Sequence, residues 1–369
     1  MIKAVNVISD TNIGGAGKCV LTFLKYHSPQ TDVITVIPRG SLLTEHIKAL
    51  GAEYIELDGL ADKSFDLKAV GKLRKIFSEL KPDIIHCHAA MSARIAGRLY
   101  GKAKIIYTRH SVFEPSPTIS VGLGKIINGF VNNITADKII AVAEAAKDNL
   151  LKTGVSEKKI VVIKNGVEPL KALTEEQKLA VRKNYGINPD DFVLGIAARL
   201  NKVKGHVYIL KALKMLIDDG IPAKLIIAGT GECEEEIRSQ ISEYKLDDAV
   251  IMAGFVDDVT NLMNILDVNV NASFGTEATS LALLEGMSLG VPSVVSDFGG
   301  NPGVVTDGVN GYIYPTCDFE KMYEKLKLVY ADSSKLRKSS KQVFEKNFKA
   351  QVMTEKIEKL YNELAERKQ

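Results

Sequence analysis

The chain has 369 residues, of which 46% are hydrophobic and 25% charged, the composition of a globular protein with roughly two to three domains. No apolar run reaches the ~18 residues of a membrane span, and the N-terminal run is too short for a signal peptide, so we expect neither and predict a cytoplasmic location. The net charge of +3 combines +7 over residues 1–168 (23 Lys and Arg, 16 Asp and Glu) with −4 over the remainder (25 and 29).

Short runs rich in β-branched residues alternate with amphipathic segments along the chain, which predicts parallel sheets covered by helices on both faces. A polar stretch at 165–191 interrupts this alternation. We therefore predict an α/β fold with an N-terminal domain at 1–168, a C-terminal domain at 169–345, and a final helix at 346–369 that is free to pack back on the N-terminal domain. The predicted strands lie at 3–9, 32–38, 52–58, 83–89, 104–110, 138–144, 159–165, 192–200, 223–231, 249–256, 267–273, 291–297 and 311–315.

A glycine pair, Gly14 and Gly15, follows the first predicted strand and begins a helical segment. Glycines in this position let a phosphate approach backbone N–H groups at a helix N-terminus. Neither named phosphate-binding pattern fits, because Val20 stands where the dinucleotide motif needs glycine and Cys19 where the P-loop needs Ser or Thr. The pair is therefore either a bare tight turn or a close approach to a phosphate-bearing ligand.

The segment from Asp66 to Leu80 is predicted to form an amphipathic helix with several lysines and an arginine outside its apolar stripe. Two interpretations stay open. The basic face is either an ordinary solvated surface or a place that attracts an anionic lipid or an anionic acceptor.

Histidines occur at the carboxyl ends of two predicted strands. His86 and His88 flank Cys87 at alternate strand positions, which places both side chains on one face, but two ligands are too few for a metal site. We therefore predict no metal there and keep His88 as a candidate ligand-facing residue. His110 follows the next strand, at the sheet edge where such folds bind ligands, although a packed structural histidine is the alternative.

Two cations follow the first strand of the C-terminal half. Arg199 and Lys204 lie in the loop ARLNKVKG, where a planar guanidinium and a point-charge ammonium are suited to clamp a diphosphate. Taken alone, the pair is a weak signal, because basic residues in loops are usually solvated.

The stretch from Ser273 to Asp297 contains a strand end, a small loop and a helix that stops at Gly290. Thr279 and Ser280 are expected to cap this helix with their side chains. The candidate ligand groups are the carboxylates of Glu277 and Glu285 and the N–H groups near Thr279, Ser280 and Leu281, which would face an anion. The alternative is a capped helix with two surface glutamates.

These pieces together resemble glycosyltransferase family 4, whose members are retaining enzymes of the GT-B fold, an α/β architecture of two Rossmann-like domains facing each other across a deep cleft. The resemblance extends over nearly the whole chain. It rests on the order and separation of IGGAG, DIIHCH, YTRH, AVAEAAKDNL, KNGVE, ARLNKVKG, AGTGE, GFVDD, the Glu277-to-Glu285 spacing with GMSLGVPSVVSD, and DGVNG.

The resemblance implies a role for each candidate residue. Glu277 would meet hydroxyls of the donor sugar, and Glu285 the ribose hydroxyls. Arg199 and Lys204, with N–H groups at Thr279 to Leu281, would neutralise the diphosphate. The remaining assignments place Gly14 and Gly15 at the donor phosphate and sugar, His110 at the reacting centre, and Gly231 with Phe255 to Asp257 beside the nucleotide.

The implied reaction moves a hexose-type sugar from a nucleoside-diphosphate donor, with a UDP-sugar expected, to a saccharide or lipid-linked acceptor. No cofactor or metal is expected, because no Asp-x-Asp follows a predicted strand. The basic N-terminal half is expected to allow peripheral contact with an anionic membrane, and no nucleic acid partner is expected.

Two departures and two alternatives remain. Gly303 stands in GGNPG where many relatives carry an acidic residue, and the proline-interrupted segment 112–133 is either a covering loop and helix or the route of a lipid-linked acceptor. The alternative functions are a GT-B-like nucleotide-sugar epimerase or phosphorylase-like enzyme, and a non-catalytic nucleotide-sugar binding module.

Overall fold

The computed structural model describes residues 1–61 and 64–366. The chain forms two compact units. The first unit comprises Met1–Gly166 together with the chain from Ala350 onward, and the second comprises Val167–Lys349. Our predicted boundaries were at 168/169 and 345/346.

The first unit is built on a sheet whose strands are β1 (Ile2–Ile8), β2 (Thr31–Pro38), β3 (Glu53–Leu57), β4 (Ile84–His88), β5 (Lys104–Arg109), β6 (Lys138–Ala141) and β7 (Ile160–Val162). Within the described residues these are seven strands in the order β3-β2-β1-β4-β5-β6-β7, and every neighbouring pair is parallel. Each lies where a β-branched run predicted a strand, because such runs are stable when both sheet faces are covered.

Helices cover this sheet. They are α1 (Gly15–Tyr26), α2 (Leu43–Ala49), α3 (Leu67–Leu80), α4 (Met91–Tyr100), α5 (Pro117–Ser120), α6 (Gly122–Thr135) and α7 (Glu144–Lys152).

Helix α3 is the predicted basic amphipathic segment. Asp66 caps it by accepting a hydrogen bond from the Ala69 N–H at 2.9 Å. Its apolar stripe, including Val70, Leu73 and Phe77, is buried in the core of the first unit. Most of the stripe is therefore used for folding, although Leu67 at the start of α3 is 74% exposed.

The second unit repeats the architecture. Its strands are β8 (Phe192–Ala197), β9 (Ala223–Ala228), β10 (Val250–Gly254), β11 (Val268–Asn271), β12 (Ser293–Ser296) and β13 (Gly311–Tyr314). Among the residues that the structure describes, they form a six-stranded parallel sheet in the order β10-β9-β8-β11-β12-β13.

The helices of the second unit are α8 (Glu175–Asn184), α9 (His206–Asp218), α10 (Glu234–Glu243), α11 (Thr260–Asn264), α12 (Leu281–Ser288), α13 (Asn301–Val304), α14 (Phe319–Ala331) and α15 (Ser334–Asn347). Between Gly166 and Val167 the chain enters this unit, and it leaves after Lys349. The two ends lie together, since the Val167 N–H donates to the Phe348 carbonyl at 2.9 Å.

The last helix, α16 (Ala350–Glu366), belongs to the first unit. Its Met353 and Tyr361 are buried against α1 and the sheet. Glu358 accepts hydrogen bonds from the Thr31 hydroxyl at 2.6 Å and from the Ser28 N–H at 2.9 Å, which ties the helix to the start of β2.

Each sheet has one point where the strand order reverses, between β1 and β4 in the first unit and between β8 and β11 in the second. Ligands of such folds bind beyond the carboxyl ends of the strands at this point. The loops after β1, β4, β8 and β11 are therefore the places to examine for a site.

Over residues 1–61 and 64–366 no helix has the length and apolarity to cross a bilayer.

Candidate functional site

Glu277, in the loop after β11, is a buried and hydrogen-bonded carboxylate of the second unit. Its Oε2 atom accepts hydrogen bonds from Lys204 Nζ at 2.8 Å, Asn271 Nδ2 at 3.0 Å and Ser273 Oγ at 3.1 Å. The side chain is only 7% exposed, so these donors provide the partners that a buried charge requires. The sequence-predicted Lys204 and Glu277 are thus brought together as an ion pair.

All three bonds end on the same oxygen of Glu277. No described side chain bonds its other oxygen, Oε1. The carboxylate is therefore held at one oxygen, and Oε1 is the acceptor left for a ligand hydroxyl.

A polar network behind Glu277 keeps this arrangement rigid. Asn271 Oδ1 accepts from the Ser273 N–H at 3.0 Å, and Ser296 Oγ donates to the Ser273 carbonyl at 2.7 Å. Asn301 Nδ2 donates to Ser296 Oγ at 3.1 Å, and these residues are all buried. Sequence reasoning missed Asn271, Ser273 and Asn301 as supports.

The loop GGNPG, residues 299–303, also supports Glu277 through its backbone. Gly299 has φ +60°, and a Cβ there would lie 2.2 Å from the Glu277 carbonyl oxygen, so only glycine fits. The Gly300 N–H donates to the same carbonyl at 2.9 Å. At Gly303, by contrast, a Cβ would meet no described atom within 4 Å. This loop therefore supports Glu277 through Gly299, Gly300 and Asn301, while Gly303 has room for a side chain.

The loop after β8 presents two cations differently. Lys204 ends a short 3₁₀ turn, Lys202–Lys204, and reaches back to Glu277. Gly205 follows with φ +70°, and its position against the Ala272 carbonyl would place a Cβ at 2.2 Å, so it fixes the turn beside the end of β11. Arg199 is exposed, and its guanidinium has no partner among the described residues.

Helix α12 begins next to Glu277. Ser280 is its N-cap, but the Ser280 hydroxyl makes no capping hydrogen bond. That prediction was wrong for Ser280. The first turn holds no acidic residue, and the leading N–H groups of a helix have no intrahelical acceptor. The half-buried Thr279, Ser280 and Leu281 thus surround a helix end suited to an anion.

The other second-unit candidates lie at the same sheet edge. Glu285 is half-buried on the second turn of α12. Gly231 follows β9, and a Cβ there would lie 2.2 Å from the Leu200 carbonyl, so packing alone requires its glycine. Phe255 follows β10 with 74% of its surface exposed, a large aromatic face left open.

In the first unit the glycine pair precedes α1. Gly14 is its N-cap with φ −92°, so no left-handed backbone is involved. A Cβ at Gly14 or Gly15 would meet no described atom within 4 Å. Neither the backbone conformation nor packing within the described part of the first unit therefore requires glycine at these positions.

Three imidazoles form a row in the first unit. The rings of His86 and His88 stack with centroids 4.3 Å apart, and His88 Nδ1 lies 2.8 Å from His110 Nε2. His86 is hydrogen-bonded on both nitrogens, to the Tyr361 hydroxyl at 2.7 Å and the Thr108 hydroxyl at 2.6 Å. His88, a candidate ligand-facing residue, is buried beside His110, and its Nε2 has no partner among the described residues.

Burial makes these histidines neutral near pH 7. It lowers the pKa of His86 to about 3 and that of His110 to about 4, and lowers the pKa of His88 well below its usual range, with neighbouring histidines adding to the effect for His86 and His88. Between two neutral rings one N–H donates and one nitrogen accepts, so the tautomers of His88 and His110 are linked. Nδ1 of His110 is buried with no described partner, and is therefore available to a ligand.

The same row predicts an acid-sensitive fold. Unfolded imidazoles bind protons near pH 6.5, whereas His86 and His110 in the folded chain do so only near pH 3 to 4. The unfolded state therefore binds more protons in this window, and stability is full above about pH 6.5 and falls as the pH is lowered. We expect the melting temperature to fall steeply below about pH 6. A flat profile between pH 7 and 4, followed by circular dichroism, would contradict buried neutral histidines.

Metal ligation finds little support in the described residues. Over 1–61 and 64–366, no group of three or more His, Cys, Asp or Glu side chains is arranged to hold a metal ion. In the histidine row, His86 bonds hydroxyl groups through both ring nitrogens, and His88 Nδ1 and His110 Nε2 bond to each other.

Comparisons with known proteins agree with this architecture. The family model described as "Glycosyl transferases group 1" matches residues 177–363, and that described as "Glycosyltransferase Family 4" matches residues 13–170. An Escherichia coli UDP-Gal:alpha-D-GlcNAc-diphosphoundecaprenol alpha-1,3-galactosyltransferase is 27% identical over 307 residues, covering 80% of this chain and 79% of that protein. A Staphylococcus aureus capsular polysaccharide biosynthesis glycosyltransferase, CapM, is 26% identical over 315 residues, covering 80% and 81%.

Solved structures show the same fold. Anabaena HepE in complex with UDP-glucose superposes with a TM-score of 0.84 at 19% identity, covering 98% of this chain and 100% of that one. Two parallel-sheet α/β units of this kind constitute the GT-B fold. Because one family model spans more than half of the chain and the other spans most of its first half, the chain belongs to glycosyltransferase family 4.

Proposed function

We propose that this glycosyltransferase moves a hexose-type sugar, with retention of anomeric configuration, from a UDP-sugar to a saccharide or lipid-linked acceptor in the synthesis of a cell-surface polysaccharide or glycolipid. The observation that carries the proposal is Glu277. Its Oε2 is held by Lys204, Asn271 and Ser273, and its Oε1 is left for sugar hydroxyls at the carboxyl end of β11.

The donor diphosphate is proposed to lie between three positive groups of the second unit. Arg199 is exposed with no described partner, Lys204 sits beside Glu277, and the N–H groups at the start of α12 complete the set. A sugar leaving with a diphosphate places negative charge on the leaving group in the transition state, where fixed positive groups are most effective. We propose that these groups make a metal ion unnecessary.

The uridine end is proposed to lie further along the same edge. Glu285 would accept hydrogen bonds from ribose hydroxyls, while Gly231 and Phe255 would border the base. The choice of UDP is supported by the printed names of relatives, one a UDP-Gal-dependent galactosyltransferase and one a structure holding UDP-glucose.

The first unit is proposed to supply substrate contacts of its own. Gly14 and Gly15 need not be glycine for folding, which supports their keeping space for a bound group. His110 has a buried Nδ1 without a described partner, which supports a hydrogen bond to substrate. As a neutral imidazole it would orient a hydroxyl rather than supply positive charge.

Retention is proposed to follow from attack of the acceptor on the face that the diphosphate leaves. The acceptor oxygen bonds to the sugar carbon as the bond to the diphosphate breaks, and a diphosphate oxygen takes the acceptor proton. Positive character at the sugar carbon is balanced by this adjacent leaving group. Family membership does not favour the epimerase or the non-catalytic binding module as alternatives.

The test is calorimetric titration with UDP, GDP, ADP and dTDP, first with EDTA and then with Mg²⁺. We expect UDP to bind in EDTA at least about tenfold more tightly than the others, since each 1.4 kcal/mol of base contacts gives that factor. Retention of heat signal in EDTA would support metal-independent donor binding, and dependence on Mg²⁺ would contradict it. No binding of any nucleotide by folded protein would contradict the donor site itself.

A further inference from the structure

Helix α6 presents an apolar face outward. Large apolar residues at its exposed positions follow helical spacing and each is 50–71% exposed: Leu123, Ile126, Ile127, Phe130 and Ile134, continued by Val121 just before the helix. Spacings of three and four residues place them on one stripe. In a helix of a soluble protein such a stripe usually faces the core, so here the orientation is reversed.

Polar residues on the opposite side fix this reversal. Asn128 Nδ2 donates to the Thr153 carbonyl at 2.7 Å, and Asn132 Oδ1 accepts from Arg94 Nη2 at 3.0 Å. The Arg94 guanidinium also donates to the Thr135 hydroxyl at 2.5 Å. Rotating α6 to bury its apolar stripe would break these bonds and leave the buried Arg94 unpaired inside the first unit, which is strongly unfavourable.

Close packing prevents the same rotation. A Cβ at Gly129 would lie 2.2 Å from the Gly154 carbonyl oxygen, so the helix backbone rests directly on the loop after α7. Any larger residue turned to this side would collide with backbone. The apolar stripe is therefore held outward by the fold.

The charge around the stripe is positive. Residues 115–136 contain no Asp or Glu and one lysine, Lys125, and residues 91–160 hold 11 Lys and Arg against 5 Asp and Glu. At the carboxyl end of α6, Arg98 Nε donates to the Ile134 carbonyl at 2.7 Å and Lys159 Nζ to the Ala136 carbonyl at 2.6 Å. Arg98 also pairs with Asp137 at 3.1 Å, so the positive charge beside this apolar face comes from Lys125 and Lys159.

We infer that this face of α6 docks on an anionic lipid bilayer, with the helix lying in the plane of the interface. A single apolar stripe bordered by cations fits a flat surface of acyl chains and anionic headgroups. A protein partner of matching charge would need acidic residues around a hydrophobic groove, and a second copy would bring the same positive charge against itself. The surface differs from the basic side of α3, and the inference does not depend on which sugar is transferred.

The experiment is flotation of the full chain with vesicles of phosphatidylcholine alone and with added phosphatidylglycerol, at low and high salt. We expect the protein to bind the anionic vesicles and this binding to weaken with salt. Ile126→Glu and Phe130→Glu should each lower the affinity for these vesicles roughly tenfold or more, because each puts a charge on apolar surface that docking would bury. Leu179→Glu, at an exposed leucine of α8 in the second unit, is the matched control and should bind like wild type.

Other outcomes would overturn the inference. Wild-type protein that binds neither vesicle, or α6 variants that bind as well as wild type, would show that the stripe does not contact lipid. Self-association in sedimentation velocity that Ile126→Glu abolishes, without vesicle binding, would assign the face to a second copy. Nucleotide titration of each variant measures binding at the proposed donor site of the second unit. Failure of that site and failure of lipid docking are therefore distinguishable.

Discussion

Glu277→Gln is expected to reduce sugar transfer by about 100-fold or more while changing UDP affinity by less than about threefold. The amide oxygen can occupy the Oε2 position, where Lys204, Asn271 and Ser273 donate, so the fold and the pair's geometry persist. The amide nitrogen then replaces Oε1 as the group facing the sugar. Losing an acceptor that acts mainly in the transition state costs roughly 10²–10³ in rate.

The measurement is steady-state transfer with the donor identified by titration, together with UDP calorimetry. Glu243→Gln, at an exposed glutamate of α10, is the control and should leave both unchanged. An unaltered transfer rate in Glu277→Gln would remove Glu277 from the reaction. Equal losses in transfer and in UDP affinity would show that Glu277 acts on the nucleotide instead of the sugar.

Lys204→Met is expected to weaken UDP binding by roughly 10- to 100-fold, because it removes a proposed charged partner of the diphosphate. It also leaves the 7% exposed Glu277 carboxylate without its cation, at a cost of about 3–5 kcal/mol in the free energy of unfolding of the second unit. Calorimetry and thermal denaturation measure the two effects. Lys202→Met, at an exposed lysine of the same turn, is the control.

The double variant Lys204→Met Glu277→Gln separates the two roles of Lys204. Removing both charges should restore much of the lost stability, since no unpaired buried carboxylate remains. UDP affinity should stay low, because the diphosphate has still lost its lysine. If UDP affinity recovers with stability, Lys204 serves only to hold Glu277.

The strands were predictable because each is a short apolar run, a pattern that favours a buried parallel strand. Runs such as DVITVIP and AKLIIAG are short and mostly apolar on both faces, and β2 and β9 coincide with them to within one residue. The stop of α12 was equally clear: Gly290 has φ +82°, which glycine adopts without strain.

The candidate site was only partly predictable. Arg199, Lys204 and Glu277 were recognisable by residue type and by position after strands. The hydrogen bonds that join Lys204 to Glu277, and the support from Asn271 and Asn301, depend on side-chain rotamers across loops that no spacing encodes. Preference for serine at an N-cap predicted a capping bond at Ser280, but preference does not fix the direction of a hydroxyl.

The direction of α6 illustrates the same limit. Its periodic apolar residues indicate a stripe, but periodicity alone does not say which side faces the core. Asn128 and Asn132 decide the matter, because their amide groups bond inside the first unit.

The position of α16 affects the order in which a ribosome can complete the two units. The core of the first unit includes Met353 and Tyr361, and Tyr361 is also the hydroxyl partner of His86. These residues are synthesised after all of Val167–Lys349, whose two ends pair through Val167 and Phe348. The ribosome therefore synthesises most of the first unit before the second unit, but its last helix only afterwards. During translation one face of the first sheet stays incompletely covered while the second unit folds.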